Sequence, residues 1–130
     1  MISTRTIGYN GLLGNQMFQY ATALSLSKHL GVEYVLPQEN LVHEMVVAGN
    51  NSRCFLYDCF PNLSVKPIPM NDIHPTTIFS PACFNYDQNI LNQPDGVDLV
   101  GFFQSEKWFK NIEYYVRQEF KLDPIVSDVK

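Results

Sequence analysis

The order of segments from Thr4 to Leu36 constrains this chain more than any other feature. Thr4 to Tyr9 is short, β-prone and ends at Asn10-Gly11, a turn signal. Gly11-Leu12-Leu13-Gly14 follows as a glycine-bounded loop. Asn15 to Leu30 then carries Met17, Tyr20, Ala21, Leu24 and Leu30 near one face at helical spacing. Asn15 is placed to cap that helix and Gly31 to end it. Val32 to Leu36 is a β-rich run stopped by Pro37. Strand, glycine loop, helix, strand is the order of a βαβ unit, and such units build parallel sheets. The expected class is therefore α/β with a parallel sheet.

Beyond Pro37 the pattern weakens. Asn50-Asn51-Ser52 marks a loop, and Cys54 to Phe60 reads as a strand or as a loop packed on the core. Pro61, Pro67 and Pro69 argue against a long helix there. Thr76 to Phe79 and Ala82 to Tyr86 are expected to be extended, and Asn92 to Gly96 to turn. Asp98 to Phe103 reads as a buried strand. Ser105 can cap a helix over Glu106 to Lys121 whose apolar face is Phe109, Ile112, Val116 and Phe120. The tail from Leu122 to Lys130 carries no stop signal.

At 130 residues and 45% apolar, the chain can bury a core as one domain. Its formal net charge of −4 argues against nucleic acid as a partner, since phosphate-backbone binding needs a basic patch. Apolar runs are broken well short of the ~20 residues a spanning helix needs. Met1 to Asn10 lacks the apolar core of a signal peptide. Cys54, Cys59 and Cys83 form no CxxC, and their odd number suits reduced thiols in the cytoplasm. His29, His43 and His74 lack metal-ligand spacing, so no metal is expected.

The glycine loop is where chemistry is expected. The first amides of a helix point outward and the helix dipole favours an anion. Gly14 allows close approach, while Asn15 and Gln16 supply side-chain amides. The spacing alone is weak: it is not GxGxxG, and no acidic residue sits ~20 positions on at the end of the second strand. No Lys-Ser/Thr follows Gly14, which excludes a P-loop. A tight strand-to-helix turn with no ligand satisfies the same residues.

Gly11-Leu12-Leu13-Gly14-Asn15-Gln16-Met17-Phe18-Gln19-Tyr20-Ala21 resembles the opening motif GGLGNQMFQYA of the bacterial α-1,2-fucosyltransferases, glycosyltransferase family 11. Gly101 to Phe109, GFFQSEKWF, is similar to that family's GYFQSEKYF. Val116-Arg117-Gln118-Glu119-Phe120 resembles its IRxEF, and Asp58-Cys59-Phe60 and Phe84-Asn85-Tyr86-Asp87 have the family's look. The resemblance runs from Thr6 to Phe120. It implies a GT-B fold of two Rossmann-like domains, of which residues 1–130 would be the N-terminal one. It implies GDP-β-L-fucose as donor, inversion to an α-1,2 linkage on a galactose-type acceptor, and no obligatory metal. Gly14, Asn15 and Gln16 would face the donor's diphosphate. Acceptors in such a family are often lipid-linked, which implies at most peripheral contact with an inner membrane. Leu12 departs from the family's glycine. The arginine-rich H-x-R-R-x-D motif expected after IRxEF does not occur up to Lys130. Arg5, Arg53 and Arg117 are isolated and do not replace it, so the chain reads as an N-terminal fragment.

Gln104, Ser105 and Glu106 sit where a strand enters a helix and are expected to line the cleft. Helix capping by Ser105 explains them equally well. The acceptor hydroxyl needs a base, and Asp58, Asp87, Asp98 and Glu106 are the candidates. Each also suits a cap, a turn or the surface. Phe18, Tyr20, Trp108 and Phe109 are expected in the core. The alternative function is a non-catalytic module that binds a nucleotide-sugar or a glycan.

Overall fold

A computed structural model describes residues 1–47, 49–81 and 86–121. Cys83, the Phe84-Asn85 pair and the tail from Leu122 therefore lie outside the described residues. The fold is α/β. Strands β1 (Ile2–Ser3), β2 (Tyr34–Val35), β5 (Thr77–Phe79) and β6 (Val97–Leu99) form one sheet in the order β2-β1-β6-β5. All its pairings are parallel: Ile2 lies beside Tyr34, Ser3 beside both Val35 and Asp98, and Phe79 beside Leu99. Strands β3 (Met45–Val47) and β4 (Asn50–Ser52) make a separate antiparallel ribbon.

Helix α1 (Leu13–Leu30) connects β1 to β2, as the sequence pattern predicts. It ends at Gly31, whose φ of 70° is left-handed and whose N–H bonds the Ser27 carbonyl. Tyr20, Ala21 and Leu24 are buried, with Met17 and Leu30 partly so. Gln16, Gln19, Thr22 and Ser27 are buried too, so α1 lies inside the molecule on more than one side. The helix starts two residues earlier than expected. Leu12 is its N-cap, with no side-chain cap bond, and Asn15 lies within the first turn.

Two strands differ from the sequence expectation. The first, expected over Thr4 to Tyr9, lies instead at Ile2–Ser3, and Thr4 to Tyr9 is a series of turns after it. Its carbonyls are taken by side chains: Asn40 Nδ2 donates to Arg5 O and Ile7 O, each at 2.9 Å, and Ser52 Oγ to Gly8 O at 2.7 Å. Those bonds replace a sheet ladder, and β-propensity yields to them. Likewise β6 stops at Leu99, and Gly101 to Phe103 leaves the sheet. Residues Cys54 to Phe60 contain a short helix, α2 (Leu56–Cys59), rather than a strand.

Ser105 caps the following segment as expected, its Oγ accepting from the Lys107 N–H at 3.2 Å. The helix read over Glu106 to Lys121 is broken. It runs as two 3-10 turns, Glu106–Trp108 and Lys110–Ile112, then α3 (Glu113–Glu119). Its predicted apolar face holds: Phe109, Ile112 and Val116 are buried and Phe120 packs against the core. The Tyr20 hydroxyl donates to Glu119 Oε1 at 2.5 Å, and the same oxygen accepts from Ser64 N–H at 2.9 Å. This buried pairing fastens α3 to α1 and to the loop before β5. Burial raises the Tyr20 phenol above its usual range, and its bond to Glu119 adds to the rise.

Candidate functional site

Ligands of open parallel sheets lie beyond the carboxyl ends of the strands. Here the loop after β1 and the loop after β6 meet at that end. Gln19 joins them: its Nε2 donates to Asn10 Oδ1 at 3.0 Å and to Gly101 O at 2.9 Å. A second tie follows, in which Gln104 Nε2 donates to Asn15 Oδ1. The two runs singled out in the sequence, Gly14-Asn15-Gln16 and Gln104-Ser105-Glu106, thus stand side by side although 89 residues apart.

Local backbone geometry produces this meeting. Gly11 is required by close approach, because a Cβ there would lie 2.5 Å from the Asn15 Cβ. The Asn15 side chain accordingly folds over Gly11 while its oxygen accepts from Gln104. On the other side Phe103 has φ 51°, a left-handed conformation that costs a bulky residue about 1–2 kcal/mol. Its ring is buried edge-on to Trp108, with centroids 5.0 Å apart, and this packing holds the turn that presents Gln104.

The sequence-expected residues divide into an open set and an enclosed one. Gly14 is exposed and a Cβ there would meet nothing within 4 Å. Asn15 is half-buried. The Gln16 N–H donates to Leu12 O at 3.0 Å and is the first amide tied into the helix, so Leu13, Gly14 and Asn15 carry the outward amides. Gln16 itself corrects the expectation of a diphosphate contact. Its side chain is fully buried, donates to Gly11 O at 3.3 Å and Arg53 O at 2.9 Å, and accepts from Phe55 N–H at 2.9 Å. Both amide hydrogens are spent on protein carbonyls, so the group knits the loop together.

The four candidate bases also separate. Asp98 is buried at 1% exposure and accepts from Ser3 Oγ at 2.7 Å and Arg5 N–H at 2.9 Å, with Arg5 Nε 3.4 Å from its other oxygen. It is a sheet-to-loop clamp, which corrects its reading as a base. Asp58 pairs with Arg53 at 2.5 Å, and Asp87 caps the turn at Gln88–Asn92 by accepting from Asn89 N–H. Glu106 lines a cleft. That cleft, about 540 Å³, opens between α1 and the segment leading into α3, with Phe18, Ser105, Lys107 and Phe109 among its walls. A smaller apolar groove of about 190 Å³ carries the surface on to Gly14, sharing Phe18 and Phe109.

Phe18 and Phe109 therefore combine core packing, with ring centroids 6.0 Å apart, and cleft wall. Lys107, Lys110 and Arg117 border the same cleft. Sequence reasoning passed over the two lysines, although Lys-x-x-Lys after a capping serine was a visible signal. Among the described residues no group of three or more His, Cys, Asp or Glu is placed to hold a metal ion. Among them, too, no helix is long and apolar enough to cross a membrane. Comparison with models of known protein families, with characterised proteins and with solved structures gives no match.

Proposed function

We propose that residues 1–130 form the Rossmann-like N-terminal part of a GT-B glycosyltransferase that transfers L-fucose from GDP-β-L-fucose to the 2-hydroxyl of a galactose-type acceptor. The observation that carries this reading is the Gln104–Asn15 hydrogen bond. It joins the two motif runs at the carboxyl end of a parallel sheet, beside the outward amides of α1. In this reading the Leu13, Gly14 and Asn15 amides face the donor's diphosphate and offset the charge that grows on the leaving GDP. Inversion needs one base for the acceptor hydroxyl. Glu106 takes that role, since it borders the cleft while Asp98, Asp58 and Asp87 are engaged elsewhere. No metal is required in this scheme.

The test is transfer of labelled fucose from GDP-fucose to a galactoside. A polypeptide joining residues 1–130 to a half that carries H-x-R-R-x-D is expected to transfer, and the 130-residue chain alone is not. Failure of the joined chain, or full activity without Asn15 and Gln104, contradicts the proposal. Tight GDP binding by the 130-residue chain with no transfer in either form would favour a nucleotide-binding module instead.

A further inference from the structure

The cleft between α1 and α3 has a charge that the chain as a whole does not. Lys107, Lys110 and Arg117 line it, against Glu106 and Glu113. Glu113 is taken by Arg117 at 2.6 Å, an exposed pair of little net strength that a ligand can redirect. Lys107 and Lys110 are exposed and make no ion pair among the described residues. The cleft is thus net positive in a chain of formal charge −4. Phe18 and Phe109 also line it, their rings tilted against each other. Its volume of about 540 Å³ lies within the size of small-molecule sites.

We propose that this cleft is a binding site for a phosphate ester: Lys107 and Lys110 hold the phosphate, Arg117 joins them, and Phe18 and Phe109 receive the apolar or planar body. Low-dielectric aromatic walls strengthen the attraction between ammonium groups and a phosphate dianion. The mixed lining also predicts selectivity. Glu106 repels a second anionic group placed on its side of the cleft, so one compact phosphate or pyrophosphate is preferred over an extended polyanion. The proposal stands without the fucosyl-transfer reading, because it invokes neither the amides of α1 nor the Asn15–Gln104 pair.

The experiment is calorimetric titration of the 130-residue chain with inorganic pyrophosphate, GMP and uncharged guanosine, beside flotation with phosphatidylglycerol and phosphatidylcholine vesicles. Pyrophosphate and GMP should bind, guanosine much more weakly. Lys107→Ala and Lys110→Ala should each weaken binding about tenfold, the scale of losing one charge-assisted hydrogen bond. Lys107→Arg should retain it. Phe18→Ala should weaken GMP but not pyrophosphate. Binding to phosphatidylglycerol vesicles alone, lost in the same lysine variants, would place the phosphate on a lipid headgroup and still support the site. Absence of binding to every probe overturns the proposal. So does binding that Asn15→Ala abolishes and the lysine variants leave intact, which would locate the anion at the start of α1. Both lysines are exposed, so their variants should keep the wild-type circular dichroism spectrum and melting curve.

Discussion

Replacing Gln16 by alanine should cost this protein much of its stability, whereas replacing Asn15 next to it should not. The Gln16 amide makes three hydrogen bonds to backbone groups, one in the adjoining Gly11 loop and two in the distant Arg53–Phe55 segment, and no solvent reaches it. Gly11 O is buried, while Arg53 and Phe55 are only half-buried. In Gln16→Ala, one carbonyl is left without a partner, two backbone groups are left partly so, and a cavity opens beside them. At about 1–3 kcal/mol for a stranded buried group, with a cavity term added, the loss comes to roughly 3–5 kcal/mol. A domain has only about 5–15 kcal/mol in hand. Asn15 has one side-chain bond, to an exposed Gln104, and its loss should cost less than about 1 kcal/mol. Urea unfolding followed by circular dichroism measures both. With a slope of ~2 kcal/mol per molar, the midpoint should fall by roughly 2 M for Gln16→Ala and barely move for Asn15→Ala. A loss under about 1 kcal/mol for Gln16→Ala would refute the view that this amide holds the loop together.

Other outcomes follow from the same structure. Asp98→Ala strands Ser3, the Arg5 amide and the Arg5 guanidinium together, and should destabilise by about 3 kcal/mol in thermal or urea melts. Cys54 is pushed up to about 11 from 9.0, first by burial, so the unfolded chain ionises it before the folded chain does. Stability should therefore fall between about pH 9 and 11 by roughly 2–3 kcal/mol, and Cys54→Ala should flatten that fall in urea titrations across the range. At neutral pH the exposed Cys59 should react with an alkylating reagent well before the buried Cys54, as peptide mass mapping would show. In the joined polypeptide of the proposed transferase, Glu106→Gln should lower kcat by about a hundredfold or more with a small change in KM for the donor.

The βαβ order was legible because its signals are local. A β-rich run before Pro37, a left-handed glycine after Leu30 and an apolar stripe at Met17, Tyr20, Ala21 and Leu24 each act within a few residues. What escaped was set by partners far along the chain. Thr4 to Tyr9 has strand propensity, but Asn40 and Ser52 take its carbonyls and turn it. Helical pattern runs from Glu106 to Lys121, yet two 3-10 turns interrupt it before α3. The same limit applies at the site. Asn15 and Gln16 are adjacent amides of nearly equal character, and one turns outward while the other is sealed beneath Arg53. Side-chain direction at a helix start depends on what packs against it, and here Gly11 and Gln104 decide it. The neighbourhood of Asn15 and Gln104 has no local signature, whereas Ser105 as a cap was readable from its type and place.

Amide-resolved NMR of the 130-residue chain, titrated with GDP-fucose to millimolar concentration, tests the proposed donor-facing role of α1 most directly, because it registers even weak binding. The backbone signals of Leu13, Gly14 and Asn15 and the side-chain amide of Gln104 should move together along one saturation curve. Silence at those four positions while other signals shift and saturate would contradict it.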